Sequence, residues 1–240
     1  MKVVAIVQAR MGSSRLPGKV LKKISGRSML HRVVSRLRAS HLTDDLIVAT
    51  TTLAKDDAIV EECQDCGVPS YRGDENDVLD RYFRAAESTK ADIVVRVTSD
   101  CPLIDPEITD KTIRAFLRGQ PAYASNTLVR TYPRGLDTEV ISRNALTRAW
   151  QEARRPYERE HVTPYIIEHP ADFQLLSVTD AEDYSAHRWT VDTPEDLAFV
   201  RAIYSRHEDA MFSWRDVLKL LEAEPELADL NRSVVQKAMH

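Results

Sequence analysis

The first 43 residues contain no aspartate, no glutamate and no aromatic side chain. They carry ten lysines or arginines (Lys2, Arg10, Arg15, Lys19, Lys22, Lys23, Arg27, Arg32, Arg36 and Arg38), whereas the remaining 197 residues carry 23 basic and 37 acidic groups. A basic head on an acidic body points to a local anion site rather than an extended nucleic-acid surface. The absent aromatics agree, because single strands are held by ring stacking as well as by charge. A solvated basic helix face accounts for Arg32, Arg36 and Arg38, but less well for the cations before Pro17. There is no run of eighteen apolar residues, so no membrane-spanning helix is expected. Gln8 and Arg10 interrupt the N-terminal apolar stretch too soon for a signal peptide, and a cytoplasmic protein is expected. Cysteine is scarce. Cys63 and Cys66 form a C-x-x-C on an expected helix, and Cys101 stands in a different motif. A structural zinc site would want two more ligands at similar spacing, so ordinary reduced thiols are expected.

What is present is an alternation of strand and helix patterns. Val3–Val7 is a continuous apolar run, as in a strand buried on both faces. A polar loop occupies 8–26. Ser28 is placed to cap a helix with Met29, Leu30, Val33, Val34 and Leu37 on one face. Strands are predicted at 46–50, 68–71, 92–97, 122–125 and 173–178. Helices are predicted at about 55–66, 76–88, from Asp105-Pro106, at 143–154 and 158–168, from Thr193-Pro194, and from Trp214. The stretch 126–139 reads as irregular and polar. This order implies an α/β fold: a mostly parallel, Rossmann-like sheet flanked by helices. The expected organisation is a single domain over 1–240, with an insertion at about 126–190 and a helical tail at about 213–240.

Chemistry is concentrated beyond strand ends, where open α/β sheets bind ligands. The loop Ala9-Arg10-Met11-Gly12-Ser13-Ser14-Arg15-Leu16-Pro17-Gly18-Lys19 offers backbone amides and fixed cations to phosphate. It is not a P-loop, because five residues rather than four separate its glycines and Val20 follows the lysine. Nor is it the G-x-G-x-x-G dinucleotide turn. Asp100, after the strand ending at Val97, faces the same crevice and is suited to hold Mg²⁺ beside phosphate. Asp192 supplies a second carboxylate just before a helix. Arg130, Arg134, Asp137, Glu139, His161 and Arg188 could together form a pocket for an acid bearing hydroxyls, although Glu158-Arg159-Glu160-His161 also reads as a salt-bridged helix surface.

The motifs A-R-M-G-S-S-R-L-P-G-K, V-T-S-D-C-P-L-I, R-G-L-D-T-E-V-I, E-R-E-H-V-T-P-Y-I and W-T-V-D-T-P-E-D-L occur in that order. Together they resemble the acylneuraminate and deoxy-octulosonate cytidylyltransferases over residues 1–205, and look closest to the branch named for the spore-coat polysaccharide biosynthesis protein SpsF. The resemblance implies a nucleotide-diphospho-sugar transferase fold and a Mg²⁺-dependent cytidylyltransferase. Such an enzyme moves CMP from CTP to a small acidic or sugar-like acceptor in surface polysaccharide synthesis. It implies that Arg10, Gly12, Ser13, Arg15 and Lys19 meet the CTP phosphates. Arg72, Gly73 and Asp77 would lie near the base, and Thr98 near the nucleoside. Arg10, Lys19 and Asp100 would be catalytic, Asp100 and Asp192 would hold the metal, and a homodimer is implied. This chain has Thr98-Ser99-Asp100-Cys101-Pro102 where the octulosonate enzymes have Q-G-D-E-P. The rival reading is a nucleotide-sugar-dependent glycosyltransferase. Such enzymes of this fold commonly hold their metal with D-x-D, and no two aspartates here have that spacing. A non-catalytic RNA or protein binder is the third reading.

Overall fold

The apolar run near the N-terminus becomes β1 (Val3–Gln8), whose first five residues are buried. Alternate side chains serve opposite faces, as strand geometry requires. Val3, Ala5 and Val7 join one core and Val4 and Ile6 another. The computed structural model describes residues 1–236. After β1 come a short hairpin, β2 (Lys23–Ile24) and β3 (Arg27–Ser28), then α1 (Met29–Arg38), β4 (Asp45–Thr51) and α2 (Asp57–Asp65). β5 (Ser70–Gly73), α3 (Val78–Ser88), β6 (Ile93–Thr98), α4 (Pro106–Gly119) and β7 (Tyr123–Ser125) follow. Beyond them lie β8 (Glu139–Ser142), α5 (Arg143–Glu152), α6 (Pro156–His161), α7 (Pro164–Glu168), β9 (Leu175–Ser177), α8 (Pro194–Ser205) and α9 (Trp214–Ala223).

The main sheet has the order β5-β4-β1-β6-β8-β7-β9, and β8 alone runs antiparallel to its neighbours. The chain moves outward from β1 to β4 and β5, then returns to β6 on the other side of β1. The direction of winding therefore reverses between β1 and β6. A crevice opens beyond their carboxyl ends at such a point.

Several expectations needed correction. β8 lies in a stretch with no predicted strand; only Val140 and Ile141 advertise it, and pairing with β6 and β7 makes it a strand. Both β8 and β9 belong to the main sheet, so the segment expected as an insertion is partly scaffold. The helix predicted at 158–168 is broken between α6 and α7 at Val162, whose φ is +74°. Pro164 stands at the first position of α7, where its missing amide donor is tolerated, a helix-start signal present in the sequence. A β-branched residue at positive φ beside His161 is local strain of the kind found at functional sites. The loop predicted at 8–26 contains β2, which forms a hairpin with β3 just beyond it, turned by Ser25 and Gly26 at positive φ. The C-terminal tail packs α9 into a third core with α8, Trp189 and Val191; the part of the expected tail at 237–240 lies outside the described residues.

The basic face of α1 is only partly solvated: Arg38 is exposed, Arg32 half-buried and Arg36 buried. Arg36 is 1% exposed and donates to the carbonyls of Ile104, Ala210 and Phe212, tying α1 to the chain on either side of α8. Arg32 and Arg38 likewise donate to backbone carbonyls. Three of the ten early cations are therefore structural. No helix among the described residues is long and apolar enough to cross a membrane.

Candidate active site

The loop after β1 is anchored before it can present anything. Asp56, fully buried, accepts from the Met11 amide at 2.7 Å and from the Thr51 hydroxyl. The Ser13 and Gly18 amides donate to the Met11 carbonyl, so two of the amides expected to face phosphate are engaged within the loop. Gly18 at positive φ then turns the chain into a 3-10 turn that carries Lys19.

Lys19 is the centre of the site. Its Nζ donates to Asp100 Oδ2 at 2.8 Å, Asp192 Oδ1 at 2.9 Å and the Val191 carbonyl at 2.8 Å. Burial alone would lower the pKa of this ammonium; the two carboxylates outweigh it and raise the value. Burial would raise Asp100, but the Lys19 ammonium and the Thr98 hydroxyl, which donates to Asp100 Oδ1 at 2.5 Å, hold its carboxyl below the usual range. Asp192 receives two further cations on Oδ2, Arg15 at 3.0 Å and Arg188 at 2.8 Å. Arg188 is clamped in turn by Asp196, which caps the start of α8 and accepts from the Asp192 amide. The tail supports the same residue. Asn231 donates to the Arg188 carbonyl and to Asp196, and Gln236 accepts from the Arg188 guanidinium.

Two compartments open from this network. The smaller, about 470 Å³, is lined by Arg10, Gly12, Ser13, Ser14 and Lys19 from the loop, with Val78 and Arg81 from α3. The larger, about 930 Å³, is lined by Arg96, Tyr123, Arg130, Arg134, Asp137, Glu139 and Thr163 among others. They share Gln8, Arg15, Thr98, Asp100, Glu160, His161 and Asp192. Volumes of this order suit small polar ligands. Of the residues expected in the larger compartment, Arg130 and Asp137 form a bidentate pair at 2.6 and 2.8 Å. Glu139 is satisfied by Arg96 and by the Tyr123 hydroxyl. Arg134 lines the cleft with no ion-pair partner among the described residues, and burial together with Arg130 pushes its pKa down. His161 lines both compartments, and burial lowers its pKa although Glu160 opposes that. Arg188 itself lines neither compartment; it acts on the cleft through Asp192.

Gly135 allows the segment carrying Arg134 and Asp137 to lie against the strand of chain leading to Asp192. Its φ is +107°, and a Cβ there would stand 2.6 Å from the Trp189 carbonyl carbon. Gly135→Ala is expected to destabilise the fold by about 1–3 kcal/mol, read from the denaturant midpoint. An unchanged midpoint would show that this backbone contact yields freely.

Arg72, Gly73 and Asp77 line neither compartment. Arg72 donates to the carbonyls of Thr51 and Leu53 and pairs with Asp57. Asp77 caps α3 and pairs with Arg159 at 2.6 Å. Gly73 makes room instead for Arg81: a Cβ at Gly73 would meet Arg81 Cγ at 2.6 Å. Arg81, which the sequence analysis did not single out, is 2% exposed and lines the smaller compartment, and its Nε and Nη1 have no hydrogen-bond partner among the described residues. A buried guanidinium left unsatisfied costs several kcal/mol unless a ligand completes it. The only sequence signal was its place on the apolar side of α3.

Asp100 and Asp192 fit a hard divalent cation. Such ions take carboxylate oxygens and leave remaining positions to water and phosphate, and here two carboxylates converge within 2.9 Å of one nitrogen. That nitrogen is the Lys19 ammonium, on Asp100 Oδ2 and Asp192 Oδ1, so a cation bound to those two oxygens would displace it.

The cytidylyltransferase family model matches residues 4–225. The spore coat polysaccharide biosynthesis protein SpsF of Bacillus subtilis is 34% identical over 94% of this chain and 96% of its own. The structure of a cytidylyltransferase from Leptospira borgpetersenii serovar Hardjo-bovis superposes with a TM-score of 0.93 at 35% identity, covering 98% of this chain and 100% of that one. A CMP:2-keto-3-deoxy-manno-octonic acid synthetase complexed with CTP shares the fold at a TM-score of 0.68 and 21% identity, covering 86% of this chain and 99% of the other. With a crevice at the β1–β6 reversal, a basic loop and an acidic pair joined by one lysine, the chain belongs to the cytidylyltransferase family and is a nucleotidyltransferase.

Proposed function

We propose that the protein transfers CMP from CTP to a small acidic or sugar-like acceptor, with Mg²⁺ and with release of pyrophosphate, in the synthesis of a surface polysaccharide or glycoconjugate. The observation that carries this reading is the division of the cleft. The two compartments meet at Asp100 and Asp192, as a reaction between two separately bound substrates requires. In it, the smaller compartment takes the nucleotide, with Arg10, Gly12, Ser13, Arg15 and Lys19 on the phosphates, Thr98 on the nucleoside, and Arg81 completing its hydrogen bonds on the bound nucleotide. The larger compartment takes the acceptor, and Arg134, lacking an internal partner, binds its acid group.

An acceptor hydroxyl oxygen bonds to the α-phosphorus. The bond from that phosphorus to the bridging oxygen breaks, pyrophosphate leaves with the electron pair, and the hydroxyl proton is released to water. The chain's own contribution is positioning and charge neutralisation. Arg10, Arg15 and Lys19 hold the phosphates in line. The Thr98 hydroxyl fixes the Asp100 carboxylate, and Arg188 fixes Asp192. Mg²⁺, held by Asp100 and Asp192, supplies Lewis-acid neutralisation of phosphate charge. The resemblance carries a homodimer in the cytoplasm into the same reading.

Calorimetric titration with CTP, UTP, ATP and GTP in Mg²⁺ tests the donor without knowledge of the acceptor. A clear preference for CTP is expected. Binding of UDP- or GDP-sugars with indifference to CTP would overturn the reading in favour of a glycosyltransferase. The same titration tests the deep cation: Arg81→Met is expected to weaken CTP by about 10–100-fold, as loss of a charge-assisted hydrogen bond costs about 1.5–3 kcal/mol. Gly73→Ala should weaken CTP in the same direction by displacing the Arg81 stem. Equal affinity in wild type and both variants would remove Arg81 from the nucleotide site.

A further inference from the structure

The C-x-x-C motif lacks further cysteine ligands in sequence, but the fold supplies other donors. α1 and α2 lie side by side on one face of the sheet, with Leu30, Val33, Ile59 and Cys63 in their shared core. At the margin of that core His31 of α1 meets Glu62 of α2 and Cys66 at the C-terminal end of α2. One ligand atom from each of these three lies within 4.8 Å of the other two. Cys66 Sγ stands 3.2 Å from His31 Nδ1 and 3.7 Å from Glu62 Oε1. None of the three lines either compartment of the cleft.

We propose that His31, Glu62 and Cys66 form a binding site for one divalent transition-metal ion, with Zn²⁺ the best match. The donor set of imidazole nitrogen, carboxylate oxygen and thiolate sulfur selects zinc and its neighbours over magnesium or calcium, which take oxygen alone. The distances suit it. Zinc–sulfur bonds of about 2.3 Å and zinc–nitrogen or zinc–oxygen bonds of about 2.0–2.2 Å at a tetrahedral angle put donors about 3.5 Å apart. The two separations from sulfur bracket that value, and the imidazole and carboxylate donors lie within 4.8 Å of each other, so side-chain shifts alone bring the three into range. Glu62 is oriented as metal-bound carboxylates usually are, by a hydrogen bond from outside the ligand set: the Ser28 hydroxyl donates to its Oε1 at 2.6 Å. Of the cations near His31, Arg38 is occupied with the carbonyls of Cys66 and Gly67, and Arg32 with those of Ile24 and Ser25. His31 and Glu62 are only half-buried, which leaves an entry path and a fourth position for water. Binding exchanges the thiol proton of Cys66 for the metal and clips the start of α1 to the end of α2.

The test uses the full chain, reduced and stripped with chelator, then exposed separately to Zn²⁺ and Co²⁺ in excess Mg²⁺ and passed over a desalting column. The expected result is one metal per chain. The Co²⁺ form should show a thiolate-to-cobalt charge-transfer band, and Zn²⁺ should raise Tm where Mg²⁺ does not, because a ligand held only by the folded state stabilises it. Cys66→Ser and His31→Ala should each abolish the band and weaken retention by more than the roughly 10–100-fold that losing an outer-shell contact costs. Asp100→Asn, which touches only the cleft, should keep the band. No retained metal, a Co²⁺ spectrum without the thiolate band, or a band that survives Cys66→Ser would overturn the proposal. So would retention lost in Asp100→Asn and kept in Cys66→Ser, which would assign the ion to the cleft.

Discussion

Lys19→Met is expected to lower turnover by about 10²–10³-fold, the size of effect seen when one pre-set charge contact to a reacting group is lost. The methionine keeps the unbranched stem and removes only the ammonium. What remains is instructive. Asp192 still has Arg15 and Arg188, whereas Asp100 loses its ammonium partner and keeps only neutral donors, the Thr98 hydroxyl and, at 3.7 Å, the Cys101 thiol. Removing one partner of a buried pair costs up to about 3–5 kcal/mol because a charge is stranded. Part of that cost disappears once Asp100 takes up a proton or a cation. Stability should therefore fall in metal-free buffer and recover when Mg²⁺ is added, while turnover stays low. Denaturant midpoints with and without Mg²⁺, set beside steady-state rates, separate the two roles. Near-normal turnover in Lys19→Met would mean that this ammonium only organises the carboxylates.

The second large effect is expected at the acidic pair, and the two acids should differ. In Asp100→Asn, Lys19 keeps Asp192 and the Val191 carbonyl, so the chain should melt within a few degrees of wild type. Turnover should fall at least about 100-fold, and the Mg²⁺ concentration for half-maximal rate should rise. Asp192→Asn should damage both. It removes the carboxylate on which Lys19, Arg15 and Arg188 converge, and leaves three cations facing one another. Melting curves and Mg²⁺ titrations of the two variants decide the matter. Full activity in Asp100→Asn would refute its assignment as a metal ligand.

Much of the frame was written locally. The apolar run of β1, the Ser28 cap of α1, the Asp105-Pro106 start of α4 and the Thr193-Pro194 start of α8 each need only neighbours along the chain, and each lies where the sequence places it. The same holds for the loop after β1 and for the two aspartates, which stand beside strand-end and helix-start signals. Elements that depend on distant partners were not legible. β8 has four residues and becomes a strand only by pairing on both sides. Asp56 looks like a helix-flanking acid until it is seen holding the Met11 amide 45 positions away. Asp196 looks like an ordinary capping acid, yet it also grips Arg188 and Asn231.

The sequence by itself determined the mostly parallel α/β frame, the basic loop at the end of β1 and the family, because periodicity, caps and motif order are properties of contiguous residues. Only the tertiary structure decided which cations are free to act. Arg36 is spent on carbonyls just before α4 and after α8, Arg130 on Asp137, and Arg72 on the turn after β4. Arg81, whose Nε and Nη1 have no hydrogen-bond partner among the described residues, lines the smaller compartment, its stem lying in the gap left by Gly73. Charge is encoded residue by residue, but whether a charge is satisfied depends on what folding brings within 3 Å of it, and that is a property of the packed chain alone.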